Sequence, residues 1–330
     1  SSSSSSSSGP LFASSQAVAT IDALLTKTQI QRLPQASRSQ AFSLMISLNE
    51  KCTRELVGMG ERYAKHFIDA MDGEKDPRCL ILCFNIIEFL GAHIGQTLPI
   101  GLVEELFDIA SCYFPITFTP PKDDPAGITG EDLKTALNNA IKACDRYSKL
   151  LVEFVQERAG DGNTQTTADA LELLCACVMA YSPDKLQPEL KQLWMFLYDL
   201  NVNQMEDLLL DLAEKVVRFI SGHVVCPDTV GGFTVTGGVL NAMDTFMEPM
   251  LQTCLSQLGT KDAKPRILRA AAGGSYASFC LVWSRVLPLV CDKLDDIKTT
   301  PSQKQPLLAL IRDLAMAGNR LCSSSSSSSS

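Results

Sequence analysis

The sequence predicts an all-α chain, a HEAT/armadillo-type α-solenoid of antiparallel helix pairs, on three observations. Apolar residues recur at the three-and-four spacing of one buried helical face along almost the whole length. Strand-type alternation is nearly absent, and the breaks between periodic stretches are short. Two identical homopolymer runs, residues 1–8 and 323–330, carry no pattern and are set aside as artefactual poly-Ser, leaving 9–322 as a single solenoid domain.

Taken in order, Leu80, Phe84, Ile87 and Leu90 form the first clear stripe, followed by Leu102, Leu106 and Ile109 and then by Leu133, Leu137 and Ile141. Further along, Phe279, Trp283, Leu287, Val290 and Leu294 predict one buried face, and Leu307, Leu310, Ile311 and Leu314 another. Asp76-Pro77, Ser182-Pro183 and Thr300-Pro301 each set a capping side chain before a proline at the first helical position, where the missing N–H costs nothing. Breaks are expected at Asp72-Gly73, Gly91 to Pro99, Gly160 to Asn163, Asn201 to Asn203 and Gly259 to Lys264. A helical bundle is the competing architecture. Pro188, Pro249 and Pro288 lie inside helical patterns, and the kinked helices they imply suit a solenoid better.

Two stretches depart from helix. The Pro-rich loop at 112–128 holds Pro115, Pro120, Pro121 and Pro125, each of which removes a backbone donor and biases the preceding residue toward extended geometry. Its Tyr113, Phe114, Ile116 and Phe118 are too apolar for an idle linker. Phe114, Ile116 and Phe118 are therefore expected to pack between adjacent helix pairs, with Lys122 to Asp124 at the surface; a docking element is the alternative. The second stretch, 223–240, contains two Gly-Gly pairs among Val, Thr and Phe and reads as an irregular insertion or a small hairpin.

Composition narrows the function. With 45% hydrophobic and 20% charged residues the chain belongs among folded globular proteins. A net charge of -8 and three histidines argue against direct nucleic-acid binding. No apolar run reaches the ~18–20 residues of a membrane span, so no membrane partner is expected. The twelve cysteines are scattered through helical stretches and are expected to be reduced thiols. Cys79 and Cys83, and Cys175 and Cys177, raise a metal or iron-sulfur site; yet Cys83 shares the Leu80 face, and Cys175 and Cys177 point about 200° apart on an ideal helix. His66 and Asp69 lack a nucleophile and an organising loop, and the glycines of 223–240 lack the lysine of a phosphate-binding loop. Catalytic, cofactor and metal residues are accordingly none, and no cofactor is expected. A solenoid without a catalytic constellation offers long surfaces that hold other proteins.

Two unusual stretches carry a resemblance. Asp72, Gly73, Glu74, Lys75, Asp76, Pro77 and Arg78, with Tyr113, Phe114, Pro115, Phe118, Pro120, Pro121, Asp124 and Pro125, closely resemble signatures of the amino-terminal region of the MMS-nineteen nucleotide excision repair protein family. Similarity is close over about 33–135 and looser to about 322. The resemblance implies the amino-terminal portion of a longer HEAT-repeat protein, cytoplasmic and nuclear, acting as a non-catalytic scaffold or adaptor of the cytosolic iron-sulfur assembly targeting complex. It implies as partners iron-sulfur client apo-proteins (DNA helicases and polymerases), and the carrier subunits of that complex through carboxy-terminal repeats missing from this chain. A second copy of the chain, as a homodimer, is a further candidate. A regulatory or transport adaptor for other cargo, and a metal-carrying protein, are the alternatives.

Overall fold

The computed structural model describes residues 14–121, 127–203, 206–225, 242–260 and 264–326, and among them all regular structure is helical. The contacts divide the chain into two compact units that meet between Tyr147 and Ser148. The first unit contains α1 (Ser14–Lys27), α2 (Gln35–Lys51), α3 (Thr53–Val57), α4 (Glu61–Met71), α5 (Pro77–His93), α6 (Ile100–Ser111) and α7 (Gly130–Lys142). α5 is its centre: α2 packs on one side and α7 on the other, while α4 packs on α6 in a second layer. That position explains its composition. Cys79, Leu80, Cys83, Phe84, Ile86, Ile87, Leu90 and Gly91 are all buried, because a helix flanked on two sides needs a wider apolar face than a surface helix.

The second unit contains α8 (Ser148–Gly160), α9 (Thr164–Ala180), α10 (Pro183–Leu186), α11 (Leu190–Asn203), α12 (Asp207–Phe219), α13 (Glu248–Ser256), α14 (Pro265–Ala272), α15 (Tyr276–Asp295) and α16 (Pro301–Ser326). Neighbours pair as α8 with α9, α11 with α12, α13 with α14 and α15 with α16. α9, α12, α14 and α16 then stack in series in one layer. This is the HEAT-like arrangement in which each pair closes the apolar face of the next.

Local chemistry sets the helix starts. The Asp76 side chain accepts from the N–H groups of Arg78 and Cys79, with Pro77 at the first helical position. Thr129 and Asp132 form a capping box on α7, Asn163 caps α9, and Ser275 and Ser278 form a second box on α15. Ser182 precedes Pro183 as expected, but its side chain makes no capping hydrogen bond.

Other expectations shift. α11 continues through Asn203, where a break was expected, and the Asn201 side chain donates to the Leu197 carbonyl one turn back. Pro188 sits in a short 3-10 turn and Pro249 in the first turn of α13; Pro288 lies within α15. The fully buried stripe of α15 is Ser278, Val282, Val286 and Val290: Val290 is buried as expected, whereas the inner positions expected at Phe279, Trp283 and Leu287 fall one residue earlier. Phe279 and Trp283 are half-buried, their rings stacked 5.7 Å apart, and Phe279 covers Gly318 of α16. Compact valines suit the close seam, while the rings flank it. The insertion or hairpin expected at 223–240 lies outside the described residues beyond Val225, which ends a π-helical stretch, Ile220–Val225.

One contact in the second unit depends on two glycines. A β-carbon at Gly222 would run into the backbone of Gly274, and one at Gly274 would lie 2.6 Å from the Arg218 carbonyl oxygen. Neither obstacle is a flexible side-chain tip. Gly222→Ala is expected to destabilise the chain by about 2–3 kcal/mol, read from the denaturation midpoint, because backbone must move. An unchanged midpoint would show that the approach is not tight in solution.

Candidate functional site

The α4–α5 turn, Asp72 to Arg78, and the loop after α6 meet in the first unit. Gly73 turns the chain with φ +72°, a left-handed conformation that a side chain would strain. The turn delivers Glu74 inward, where its side chain is only 4% exposed. Four donors meet that carboxylate. Arg38 of α2 gives Nε to Oε2 at 2.7 Å and Nη2 to Oε1 at 2.9 Å, and the Lys75 and Asp76 N–H groups reach Oε1 at 2.9 and 3.0 Å. Arg38 is itself held by the Leu33 carbonyl at 2.9 Å. Burial pushes the Glu74 carboxyl upward, but the Arg38 hydrogen bonds, the Asp76 and Lys75 N–H groups and the Arg38 charge outweigh it, so its pKa lies below the usual range.

Tyr113 joins the second loop to the first. Its hydroxyl donates to the Glu74 carbonyl at 2.9 Å, and its ring stands edge-on to Phe84 of α5 with centroids 5.7 Å apart. Phe114 is buried, whereas Ile116 and Phe118 are half-buried, so one of the three aromatic and aliphatic anchors carries most of the packing. The Phe114–Pro115 bond is cis. Downstream the loop returns so closely to α7 that a β-carbon at Gly130 would lie 2.8 Å from the Phe118 carbonyl oxygen. Pro115 is half-buried, and Pro120 and Pro121 are exposed; Lys122, Asp123, Asp124 and Pro125 lie outside the described residues. Lys75 and Arg78 are exposed, and Arg78 pairs with the capping Asp76 at 3.2 Å.

The two signature stretches therefore form one junction. Sequence reasoning missed Arg38, which lies 36 residues before Glu74. The available signal was an acidic residue in a turn between two apolar helices, which needs a counter-charge if it is buried. Tyr113→Phe removes one donor and is expected to cost about 1 kcal/mol in thermal denaturation, since the Glu74 carbonyl loses its side-chain partner while ring packing stays.

The junction is built to hold position. Glu74 has its acceptors engaged and is ionised, so it is unsuited to proton abstraction. Burial pushes the Cys79 thiol up to about 11 and the Cys83 thiol well above its ordinary value, leaving both protonated at neutral pH. Among the described residues no group of three or more His, Cys, Asp or Glu could hold a metal ion, and no helix is long and apolar enough to cross a membrane.

Residues 7–201, more than half of the chain and containing both loops, match the family model described as Dos2-interacting transcription regulator of RNA-Pol-II, the amino-terminal MMS19 model. The chain belongs to the MMS19 family. It is 30% identical over 305 residues to the MMS19 nucleotide excision repair protein homolog of Bos taurus, covering 89% of this chain and 28% of that relative, with the same figures for the Homo sapiens protein. The Dictyostelium discoideum homolog is 24% identical over 298 residues. The chain thus spans little more than a quarter of these MMS19 relatives. Among solved structures, an engineered protein overlaps 89% of the chain with a TM-score of 0.40 and 8% identity. The sequence resemblance to the amino-terminal MMS19 region is thereby upheld, and the Glu74–Tyr113 junction lies inside the matched segment.

Proposed function

We propose that this chain acts as a non-catalytic scaffold or adaptor in the cytosolic iron-sulfur assembly targeting complex, helping deliver clusters to apo-proteins such as DNA-repair and replication helicases and polymerases. The observation that carries the reading is membership of the MMS19 family across a segment that includes both signature loops. The helix-pair architecture supports it, because stacked pairs present extended surfaces to protein partners. The buried, protonated thiols support holding partners over carrying the cluster. Work in both cytoplasm and nucleus follows from such clients.

Co-elution tests the proposal. The purified chain should co-elute with an apo iron-sulfur DNA helicase, and the carrier subunits of the complex should engage other repeats. Failure to bind either would sink the adaptor role for this segment. A second reading comes from the family description, which names a Dos2-interacting transcription regulator. In that reading the surface docks a component of RNA polymerase II transcription, and retention of such a component without the apo-helicase would favour it.

A further inference from the structure

The second unit carries a groove outside the junction described above. α12, α14 and α16 lie side by side, and over them opens a cavity of about 550 Å3. Five arginines line it: Arg218 from the end of α12, Arg266 and Arg269 from α14, and Arg312 and Arg320 from α16. In a chain with 29 Lys and Arg against 37 Asp and Glu, such a convergence runs against the overall charge.

The carboxylates nearby do not neutralise it evenly. Arg266 draws three of them, Asp207 at 3.5 Å, Asp211 at 2.5 Å and Glu214. At the other end Asp313 alone serves two guanidiniums, Arg269 at 3.0 Å and Arg312 at 2.8 Å. Arg218 has no ion-pair partner among the described residues, and the Nε of Arg269 is buried without an acceptor. An incoming carboxylate reaches the exposed Arg218 guanidinium without displacing an internal ion-pair partner.

Glycine keeps this end open. A β-carbon at Gly273 would lie 3.3 Å from the Arg218 Nε, so its absence lets the guanidinium lie over the last turn of α14. Between the charges the lining is apolar, with Ala270, Ala317 and the 49% exposed Met316. An apolar side chain of a ligand fits there, against a methionine that adapts its shape.

We propose that this groove binds an acidic peptide segment of a partner protein, its carboxylates on Arg218, Arg269, Arg312 and Arg320 and an apolar side chain on Met316. The planar fork of arginine matches a carboxylate with two parallel hydrogen bonds. A nucleic-acid strand fits less well, because its evenly spaced phosphates would also meet Asp211 and Glu214 around Arg266, whereas a peptide places its charges at one end. The groove would serve an adaptor of any cargo, so its occupancy is tested without reference to iron-sulfur delivery.

The probe is a fluorescein-labelled peptide with four consecutive glutamates at one end followed by a leucine and neutral residues, titrated with the full chain and read by fluorescence anisotropy. Saturable binding is expected, weakening as salt rises above about 0.15 M and absent for the same peptide with glutamine in place of glutamate. Arg218→Glu and Arg320→Glu, both at exposed positions, should together weaken binding by roughly tenfold or more, with the melting curve confirming the fold. Arg320→Glu alone serves if the double variant does not fold, and should weaken binding at least severalfold. No saturable binding, equal binding of the glutamine peptide, or unchanged affinity in a folded variant overturns the proposal. Stronger competition by a single-stranded oligonucleotide of equal charge also overturns it and assigns the groove to nucleic acid.

Discussion

Arg38→Ala is expected to lower the stability of the first unit by about 3 kcal/mol, because it leaves the nearly buried Glu74 carboxylate without its counter-charge. For a unit of this size the melting temperature should fall by roughly 6–12 °C. The effect should depend on pH in a specified direction. In the wild-type chain the folded-state pKa of Glu74 lies below its unfolded value, so its contribution is fully present above about pH 4.3 and is lost as the pH falls through the folded value. Without Arg38 the carboxyl loses its counter-charge and two of its hydrogen bonds, so its folded-state pKa rises relative to the wild-type one and protonation costs the variant less stability. The gap between wild type and variant should therefore be widest near neutral pH and narrow toward pH 3 to 4, as followed by circular dichroism melts. A gap independent of pH would mean that Arg38 acts through packing alone.

Phe114→Ala is expected to cost about 3–4 kcal/mol, the loss of a buried aromatic plus the cavity it leaves. Phe118→Ala should cost less, about 1–2 kcal/mol, because that side chain is half-buried. The pair separates two roles for the loop. If the loop seals the junction, stability falls in this order, and partner co-elution falls only as the folded fraction does. Unchanged melting with lost co-elution would make the loop a docking element instead.

Both predictions act on the junction, and both have consequences for the surface around it. Fixing Glu74 fixes the Asp72 to Arg78 turn, because the same carboxylate accepts from the Lys75 and Asp76 N–H groups. Tyr113 then couples that turn to the loop that carries Phe114. Exposed Lys75, Arg78, Pro120 and Pro121 are thus displayed from a backbone held by buried groups, which lowers the ordering cost of any contact they make.

Much of the helical frame was legible along the chain, because its causes are local. Leu80, Phe84, Ile87 and Leu90, and Leu133, Leu137 and Ile141, are buried as their spacing requires, since residues three and four apart share a face whatever lies opposite. Asp76 caps α5 because its partners are the next two or three N–H groups. The caps at Thr129 and Ser275 were equally local but were hidden by ordinary-looking residues at the third position, Asp132 and Ser278.

What the tertiary structure alone decided involves partners far apart in sequence. On α15 the buried seam runs through Val282, Val286 and Val290, while Phe279 and Trp283 stay half-buried beside it, the Phe279 ring lying on Gly318 of α16. Glu74 could have been read as a solvated charge in a turn until Arg38 and Tyr113 were seen to close on it. The arginine groove has no sequence motif at all, since its residues come one turn at a time from α12, α14 and α16. Periodicity and capping are properties of neighbours on one helix and so belong to the sequence; the choice of counter-ion, the buried row and the shape of a groove depend on which helices stack, and that is settled only when they pack.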